Sequence, residues 1–301
     1  MLSAWLVNPL RFSSIFQLIS CGQTDRGLCA AVMRKKKLKR LYRENLRRLG
    51  RKTFALRQLS TAGYIRYGLA TLLRKPTTKV SVNGFPVLIR PRSPDLRVAA
   101  VSLTREFEPM AEYLPSDFDG LIVDAGAYIG TAALKLAAMF PRAKILCVEA
   151  SAANFAMLKQ NVSGHPSIDT VHAAIAAQHG DIVQVWDRGT GQWGFTTVSQ
   201  PRNHPVARVL EEVETVTISQ IAATYPDHAI GLVKLDIEGG EKDLFENSDD
   251  LAAIPYILVE LHDRLVSGCT AAFETFSRDR TVTSLGGEKF LSYRSCLLYT
   301  S

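Results

Sequence analysis

The residues with clear chemical potential begin in the middle of the chain, in the motif LIVDAGAYIG at residues 121–130. An apolar run ends in Asp124, and Gly126 and Gly130 follow it. Glycines after a buried strand let a ligand lie close to the backbone and let the next helix begin there. The carboxylate suits a cationic ligand and repels a pyrophosphate, and the glycine pattern of a dinucleotide fingerprint is incomplete. The motif alone is also compatible with an ordinary strand–turn–helix.

A second acid, Glu149, ends the next apolar run, 25 residues after Asp124. An acid at about this distance typically accepts hydrogen bonds from two ribose hydroxyls. The two motifs together favour an α/β domain that binds an adenosine group. S-Adenosylmethionine carries an adenosine, an ammonium and a sulfonium but no phosphate, so it is the predicted cofactor.

A third cluster is acidic and lies in VKLDIEGGEKDLF, residues 233–245. Asp236 and Glu238 follow a predicted strand on the same side of the chain, and Lys234 can pair with one of them. Glu241 can cap the helix that follows and complement its dipole. The next strand leads into VELHD, residues 259–263, which brings Glu260 and His262 to the same rim of the sheet.

The elements that must position these residues alternate between strands and helices from residue 121 onward. Strands are predicted at 121–124, 144–150, 168–174, 181–186, 231–236 and 256–261, and helices at 128–140, 152–162, 218–224 and from 240. This alternation predicts an α/β fold with a parallel sheet covered on both faces. Upstream, residues 79–90 predict a β-hairpin that turns at Asn83-Gly84, and residues 95–114 are predicted to be helical. Residues 187–205 are predicted to form a loop.

Composition excludes several classes of protein. The 301 residues carry a formal net charge of +7, with 47% hydrophobic and 22% charged residues, which excludes a disordered chain and a collagen-like repeat. The five cysteines are scattered and form no C-x-x-C pair, which indicates a reducing compartment and no disulfide framework. No uncharged apolar run is long enough to span a bilayer, and the first 20 residues lack a basic leader. A cytoplasmic location is therefore expected.

The positive charge is concentrated in residues 34–57, which contain twelve basic residues and one acid. Leucines recur at helical spacing, so the segment is predicted to be a basic amphipathic helix. It either associates weakly with an anionic membrane or RNA, or packs its leucines on the main domain as a solvated appendage. The second interpretation is favoured because no aromatic residues are interleaved for base stacking. Met33 is a candidate start, and residues 1–32 and 295–301 are left out of the fold prediction.

The order DAGAYIG, CVEASAANFAMLKQNV, VKLDIEGGEKDLF and ILVELHD resembles the FkbM-type S-adenosylmethionine-dependent methyltransferases. The resemblance covers about residues 80–295. It implies a seven-stranded class I, Rossmann-like doubly wound sheet, here with the β-hairpin and the basic extension in front of it. We accordingly predict an N-terminal extension at 1–75 and a methyltransferase domain at 76–295. The implied reaction is methyl transfer to a hydroxyl of a sugar, a lipid-linked glycan or a natural product.

The resemblance also implies roles for individual residues. Those implied for the cofactor site are Asp124, Gly126, Ala127, Gly130, Glu149, Ala150, Asn154 and Ala174, with Glu149 on the ribose. Asn161 matches a second family asparagine, and Asp236, Glu238 and Glu241 match the acidic motif. Two departures stand out. TISQ at 217–220 replaces a frequent Thr-Leu-Asp run, and Ala173 and Ala174 leave only backbone groups to recognise adenine.

Other functions are less compatible with the sequence. An amino-group methyltransferase acting on DNA or RNA requires a tetrapeptide like N-P-P-Y where KLDIEG stands, so DNA is not an expected partner. The chain has no G-x-S-x-G, H-E-x-x-H or P-loop lysine motif. RNA modification remains open because of the basic segment. A non-catalytic cofactor-binding protein of the same fold remains open too, although it would not need the acids and His262 at the rim.

Methyl transfer to a hydroxyl needs a base, because a sugar hydroxyl is a poor nucleophile at neutral pH. Asp236 and His262 are the candidate bases, with Glu238 beside them, and His262 is the better matched if its pKa is near 6–7. The carboxylates could instead hold Mg²⁺, but the resemblance does not demand a metal and none is assigned. The aromatic residues Trp186, Trp193 and Phe195 in or beside the 187–205 loop are the expected wall of the acceptor site.

Overall fold

The computed structural model describes residues 50–198 and 207–294. Most of the basic segment 34–57 therefore lies outside the described residues, as do residues 199–206 in the predicted loop. Within the described ranges, no helix is both long and apolar enough to cross a membrane.

The elements follow one another in this order along the chain. The N-terminal part contains helix α1 (50–57), helix α2 (Thr61–Leu72), strands β1 (Thr78–Val82) and β2 (Phe85–Ile89), and helix α3 (Asp95–Val101). The central part contains β3 (Leu121–Ala125), α4 (Thr131–Met139), β4 (Lys144–Glu149), α5 (Ala152–Val162), β5 (Ile168–His172), β6 (Ala174–Ile175), β7 (Ile182–Asp187), β8 (Arg208–Val216) and α6 (Ile218–Thr224). The last part contains β9 (Ile230–Leu235), α7 (Glu241–Asn247), α8 (Asp249–Ala252), β10 (Tyr256–Glu260), α9 (Cys269–Phe276), β11 (Thr281–Gly286) and β12 (Lys289–Tyr293).

Seven of these strands form the central sheet, in the order β11-β12-β10-β9-β3-β4-β5. Strands β5, β4, β3, β9 and β10 run parallel, and β12 is antiparallel to both of its neighbours. Every residue of β3 and β9 is buried, as expected for central strands covered on both faces. The predicted class I, Rossmann-like doubly wound sheet is confirmed.

The sheet separates two apolar cores. Ile122, Ile145 and Leu232 pack on one face, in a cluster that includes residues of α3, α4 and α5. Val123 and Val233 pack on the other face, in a cluster that includes residues of α6, α7, α8 and α9. The chain goes from β3 to β4 in one direction and from β9 to β10 in the other, so the strand order reverses between β3 and β9. Ligands of doubly wound sheets bind in the crevice at the carboxyl ends of such strands.

The predicted hairpin is confirmed, with Val82 opposite Phe85 and Asn83 at a positive φ of 48°. The predicted helix at 95–114 is shorter, because α3 ends at Val101 and continues as a π turn at Ser102–Glu106 and a 3-10 turn at Glu108–Glu112. A third small sheet has the order β6-β8-β7. Strand β8 follows the predicted loop at 187–205, and the sequence pattern did not predict it.

Residues before the hairpin also contribute to the main core. Ala55 in α1 is buried in the same cluster as Val80 and Val82, and Leu59 forms a β-bridge to Val82. The described chain from residue 50 onward forms one compact unit. The domain boundary between residues 75 and 76 stays a prediction.

Helix α2 presents an apolar stripe to solvent. Ile65, Leu69 and Leu72 are 58%, 54% and 77% exposed, and the neighbouring Leu73 is also exposed. On the opposite side of this helix, Gly63 and Ala70 are buried. The stripe is relevant to the predicted association of the N-terminal region with an anionic surface.

Candidate active site

The acid of the first motif, Asp124, lies fully buried near the end of β3 and is paired with a lysine from β9. Lys234 Nζ donates to Asp124 Oδ1 over 2.8 Å and lies 4.0 Å from Asp236 Oδ2. Burial alone would lower the pKa of Lys234, but the charges of Asp124 and Asp236 outweigh it and raise the pKa. Asp124 Oδ2 is buried without a hydrogen-bond partner among the described residues. The pair with Lys234 therefore uses only one of the two oxygens of Asp124.

The two glycines of the motif are required by neighbouring parts of the protein. Gly126 has a φ of +77°, and a Cβ there would lie 1.9 Å from the carbonyl oxygen of Asp236. Gly130 has a φ of +86°, and its Cβ would lie 2.7 Å from Leu158 Cδ1 in α5. The sequence interpretation of Gly126 as a point of close ligand approach therefore needs an addition: this glycine also lets the β3 loop touch the acidic motif.

Glu149 lies at the end of β4 and holds the loop between β3 and α4. Its carboxylate accepts the backbone N–H of Tyr128 over 2.8 Å and that of Ser151 over 3.0 Å. Burial raises the pKa of Glu149 to about 7, although these hydrogen bonds and one from Asn154 oppose the shift. Oε1 accepts from both Ser151 and Asn154, whereas Oε2 accepts only from Tyr128 and has a second lone pair for a ribose hydroxyl.

The other predicted cofactor residues surround this loop. Ala127 and Ala174 are buried, and Ala150 is half-buried beside the carboxyl end of β4. Asn154 Nδ2 donates to the carbonyl of Gln192 over 2.9 Å, and its Oδ1 accepts from Arg90 over 3.0 Å. The structure therefore brings Asn154 next to Glu149 and the loop at 188–198.

Asn161 has a structural task. Its side chain exchanges hydrogen bonds with the backbone of Leu88 in β2 and donates to the carbonyl of Ile129 over 2.8 Å. It thereby ties the hairpin to the loop that carries the first motif.

The acidic motif is organised around the buried carboxylate of Glu241, the first residue of α7. Glu241 Oε1 accepts the backbone N–H of Ile237 over 3.1 Å, and Oε2 accepts that of Gly239 over 2.9 Å. The turn so closed places Glu238 at a φ of +52°, a conformation that non-glycine residues adopt at a cost of about 1–3 kcal/mol. Glu241 lies in the first turn of α7, where its charge complements the helix dipole, but α7 has no side-chain capping bond, so the predicted cap is wrong.

His262 follows β10 and points into this cluster. Its Nδ1 hydrogen-bonds to Glu241 Oε1 over 2.8 Å, while Nε2 lies 3.7 Å from Asp236 Oδ1 and 3.9 Å from Glu238 Oε2. Burial alone would lower the pKa of His262, but the bond to Glu241 and the charges of all three acids raise it to about 9. The value of 6–7 used for the sequence prediction is wrong for this reason.

Two residues of the 188–198 loop contact the motif, and sequence reasoning missed both. Arg188 Nη2 donates to Glu238 Oε2 over 2.7 Å in a fully buried ion pair. Thr196 Oγ1 donates to the backbone carbonyl of Glu238 over 2.7 Å. A buried arginine 50 residues from its partner leaves no local signal, and the surrounding polar residues suggested an ordinary loop.

The three candidate catalytic residues differ in how accessible they are. The side chain of Asp236 is 32% exposed, whereas those of Glu238 and His262 are 6% and 1% exposed. A cavity beside Asp236 is also lined by Glu106, Glu260 and Lys289, and Lys289 forms ion pairs with both of these glutamates. Asp236 is therefore the most exposed member of the cluster.

The three aromatic residues of the expected acceptor wall lie in different surroundings. Trp186 pairs with Thr196 through a β-bridge, and Phe195 packs on the small core of β7 and β8. Trp193 is half-buried, with the Arg97 guanidinium 5.5 Å from its ring centre. The role of these aromatic residues remains a prediction.

Comparisons with known proteins agree with this arrangement. Residues 124–278, just over half of the chain, match the FkbM methyltransferase domain. A protein named Methyltransferase 1 from Beauveria bassiana is 26% identical over 171 residues, which cover 50% of this chain and 67% of that protein.

Solved structures with detectable similarity are more distant. Aeropyrum pernix fibrillarin with bound S-adenosyl-L-methionine is 12% identical over 60% of this chain and 68% of its own, with a TM-score of 0.34. P. horikoshii TYW2 in complex with MeSAdo is 14% identical over 77% of this chain and 83% of its own, with a TM-score of 0.38. The extent of the domain match, from Asp124 through the acidic motif and beyond His262, is decisive. The chain belongs to the FkbM-domain methyltransferases, which take their methyl group from S-adenosylmethionine.

Proposed function

We propose that this methyltransferase transfers the methyl group of S-adenosylmethionine to a hydroxyl of a sugar, glycolipid or natural product. The observation that carries the proposal is the shared contact of Lys234, which links Asp124 of the cofactor loop to Asp236 at the accessible rim. The link brings a donor site and an acidic acceptor site together at the crevice between β3 and β9. A protein that only binds the cofactor has no need of the second group.

In this proposal residues at the carboxyl ends of β3 and β4 would hold the cofactor. Glu149 would accept from the ribose, Asp124 would attract the cationic methionine end, and the loop through Ala127 to Gly130 would border it. Ala150 and Asn154 border the ribose, and backbone groups near Ala174 meet the adenine. The close contact of Gly126 with the Asp236 carbonyl would keep this loop next to Asp236.

The chemical step is an in-line displacement. S-Adenosylmethionine, when bound, would supply an activated methyl group: an acceptor oxygen would form the O–C bond as the S–C bond breaks, and the sulfur would keep the bonding electron pair and leave as S-adenosylhomocysteine. Asp236, the partly exposed carboxylate, would take the hydroxyl proton. The protein contributes mainly alignment, exclusion of water and removal of this proton.

His262 and Glu238 support Asp236 in this scheme. An imidazole with a pKa of about 9 is protonated at neutral pH, so it holds the Asp236 carboxylate in place better than it accepts a proton. Glu238 is occupied by Arg188 and keeps the 188–198 loop over the site. We therefore assign the base to Asp236 and a positioning role to His262.

Two further parts of the proposal concern the surroundings of the reaction. The two cysteines in the described ranges, Cys147 and Cys269, are buried and unpaired, which supports a reducing, cytoplasmic location. The basic segment 34–57 and the exposed stripe of α2 support weak association with an anionic membrane, and RNA is the alternative partner for the same charge.

Methyl transfer is tested by measuring S-adenosylhomocysteine formation with a panel of glycosides, glycolipids and polyhydroxylated natural products. With a productive acceptor, Asp236→Asn should lower kcat by about 10²–10⁴-fold and leave the Kd for S-adenosylmethionine within a few-fold. Asp243→Asn is the matched control, because Asp243 is an exposed acid on the same segment. Full turnover by Asp236→Asn would refute this assignment of the base.

A further inference from the structure

The Nε2 atom of His262 is a buried polar atom without a hydrogen-bond partner among the described residues. It faces two carboxylates, but 3.7 Å to Asp236 and 3.9 Å to Glu238 are too long for hydrogen bonds. Leaving such a nitrogen unpaired costs about 1–3 kcal/mol. An atom bound by all three side chains would remove this cost.

The spacing of the three side chains suits a metal ion. One ligand atom from each of Asp236, Glu238 and His262 lies within 4.8 Å of the other two. Ligands at about 2.0–2.2 Å from a common ion are separated by about 3–4.4 Å. Small side-chain movements would therefore close the site around an ion.

A second contact fixes the imidazole for this task. Glu241 Oε1 accepts from His262 Nδ1 over 2.8 Å, and the Glu241 carboxylate is itself held by the backbone of Ile237 and Gly239. A carboxylate behind a histidine orients the ring and keeps the proton on Nδ1, and a bound ion would take the place of the proton that Nε2 carries without it. Metal-binding histidines in proteins almost always have such a partner.

The local charge favours a divalent cation as well. The region contains four carboxylates and two buried cationic side chains. When His262 is neutral and all four acids are ionised, these groups carry a net charge of two negative units. They are Asp124, Asp236, Glu238 and Glu241, with Lys234 and Arg188. The half-exposed Arg264, 3.7 Å from Glu238, reduces this charge from the solvent side. Arg188 donates to Glu238 Oε2, the same oxygen that faces His262 Nε2, so an ion would bind a remaining lone pair of this oxygen or the other oxygen after a rotation of the carboxylate.

We propose that Asp236, Glu238 and His262 bind a divalent first-row transition ion such as Mn²⁺, with Glu241 as the group that orients His262. The imidazole ligand favours such an ion over Mg²⁺, which prefers oxygen ligands alone. This departs from the sequence analysis, which assigned no metal. The role of the ion rests on the proposed function: it would bind the acceptor oxygen and acidify its hydroxyl, and the proton would pass to the Asp236 oxygen not bound to the ion.

Binding is measured on the full chain with Mn²⁺ alone, by the loss of the EPR signal of the free aqueous ion. We expect one ion per chain, and a Kd raised at least about tenfold in His262→Gln and in Asp236→Asn. Asp243→Asn should bind like the wild-type protein. Absence of saturable binding, or unchanged binding in both site variants, would overturn the proposal.

A measurement on the wild-type protein avoids any dependence on how the variants fold. Pulsed EPR of the Mn²⁺ complex should show coupling to one imidazole ¹⁴N, and His262→Gln should lose it. A bound ion without nitrogen coupling would also contradict the site. The affinity for S-adenosylmethionine is measured on the same protein before Mn²⁺ is added. Cofactor binding without Mn²⁺ binding would contradict the metal site alone, whereas loss of cofactor binding would contradict the methyltransferase assignment.

Discussion

Gly126 and Asp236 touch through their backbones so closely that a Cβ on residue 126 would lie 1.9 Å from the Asp236 carbonyl oxygen. The loop expected to hold the cofactor and the motif expected to activate the acceptor are therefore one packed unit. A substitution in the cofactor loop should therefore also disturb the acidic motif. Two independent sites would not be coupled in this way.

Gly126→Ala should lower the free energy of unfolding by about 3 kcal/mol or more and abolish S-adenosylmethionine binding, because neither the positive φ nor the overlap with backbone can relax. Chemical denaturation and calorimetric binding measure the two effects. Gly84→Ala is the matched control: Gly84 has a φ of +87° and nothing within 4 Å of its Cβ position. It should cost only about 1 kcal/mol and leave binding intact. Equal effects at the two positions would show that the overlap is unimportant.

Cofactor affinity should rise with pH as Glu149 ionises, because the carboxylate accepts two ribose hydroxyls better than the protonated acid does. The pKa of about 7 places this rise around neutral pH. Calorimetric titrations between pH 5.5 and 8.5 should show the rise in cofactor affinity in the wild-type protein. The Glu149→Gln variant should show no such rise around pH 7. A wild-type pH profile that Glu149→Gln reproduces would exclude Glu149 as its source.

The same ionisation should make stability fall with pH. The folded pKa of Glu149 is raised above its ordinary value of 4.5, so the folded state keeps a proton that the unfolded state releases between pH 4.5 and about 7. The free energy of unfolding of the wild-type protein should therefore decline relative to that of Glu149→Gln over this window and run parallel to it above. A difference that increases with pH would have the wrong sign.

Arg188→Met should lower the free energy of unfolding by about 3–5 kcal/mol, because it leaves the Glu238 carboxylate buried without its partner. Combining it with Glu238→Gln should recover part of this loss, as measured by a double-mutant cycle. Arg208→Met is the control, since the Arg208 side chain in its pair with Asp187 is 73% exposed and should contribute at most about 1 kcal/mol. Equal losses at the two arginines would argue against a special role of Arg188.

The chain should bind vesicles rich in phosphatidylserine, with affinity that falls as salt is added, since the basic segment supplies charge and α2 an apolar stripe. Replacing Ile65, Leu69 and Leu72 by serine should weaken sedimentation with these vesicles. Val282→Ser, an exposed apolar position on β11, should not. Salt-sensitive binding to RNA in place of vesicles would favour the other partner.

Local signals explain what the sequence could predict. Helix α5 starts and ends where expected because Ser151 caps it, and α6 begins at Thr217 through a capping box. The acids of the rim were found because strand ends of a parallel sheet meet at one edge. Strand β8 escaped notice because the acids in RVLEEVETV obscure its alternation.

Contacts between distant segments could not be predicted in the same way. The bond between Lys234 and Asp124 spans 110 positions, and the sequence offered Lys234 a nearer partner in Asp236. The pKa of His262 depends on Glu241, which the sequence indicates as a helix cap or a member of the acidic motif but not as a partner of His262. Arg188 reaches Glu238 from a loop whose composition gives no sign of a buried charge. In each case the chemistry depends on a tertiary distance.

The fate of the methyl group tests the central claim most directly. S-Adenosylmethionine labelled with tritium in its methyl group is incubated with the protein and the panel of hydroxylated acceptors, and the products are treated with alkali. We predict label in a neutral, alkali-stable methyl ether, formed together with one S-adenosylhomocysteine per methyl group and strongly reduced in Asp236→Asn. Label that is released by alkali as methanol, or that stays on an amine, would contradict transfer to a hydroxyl at this site.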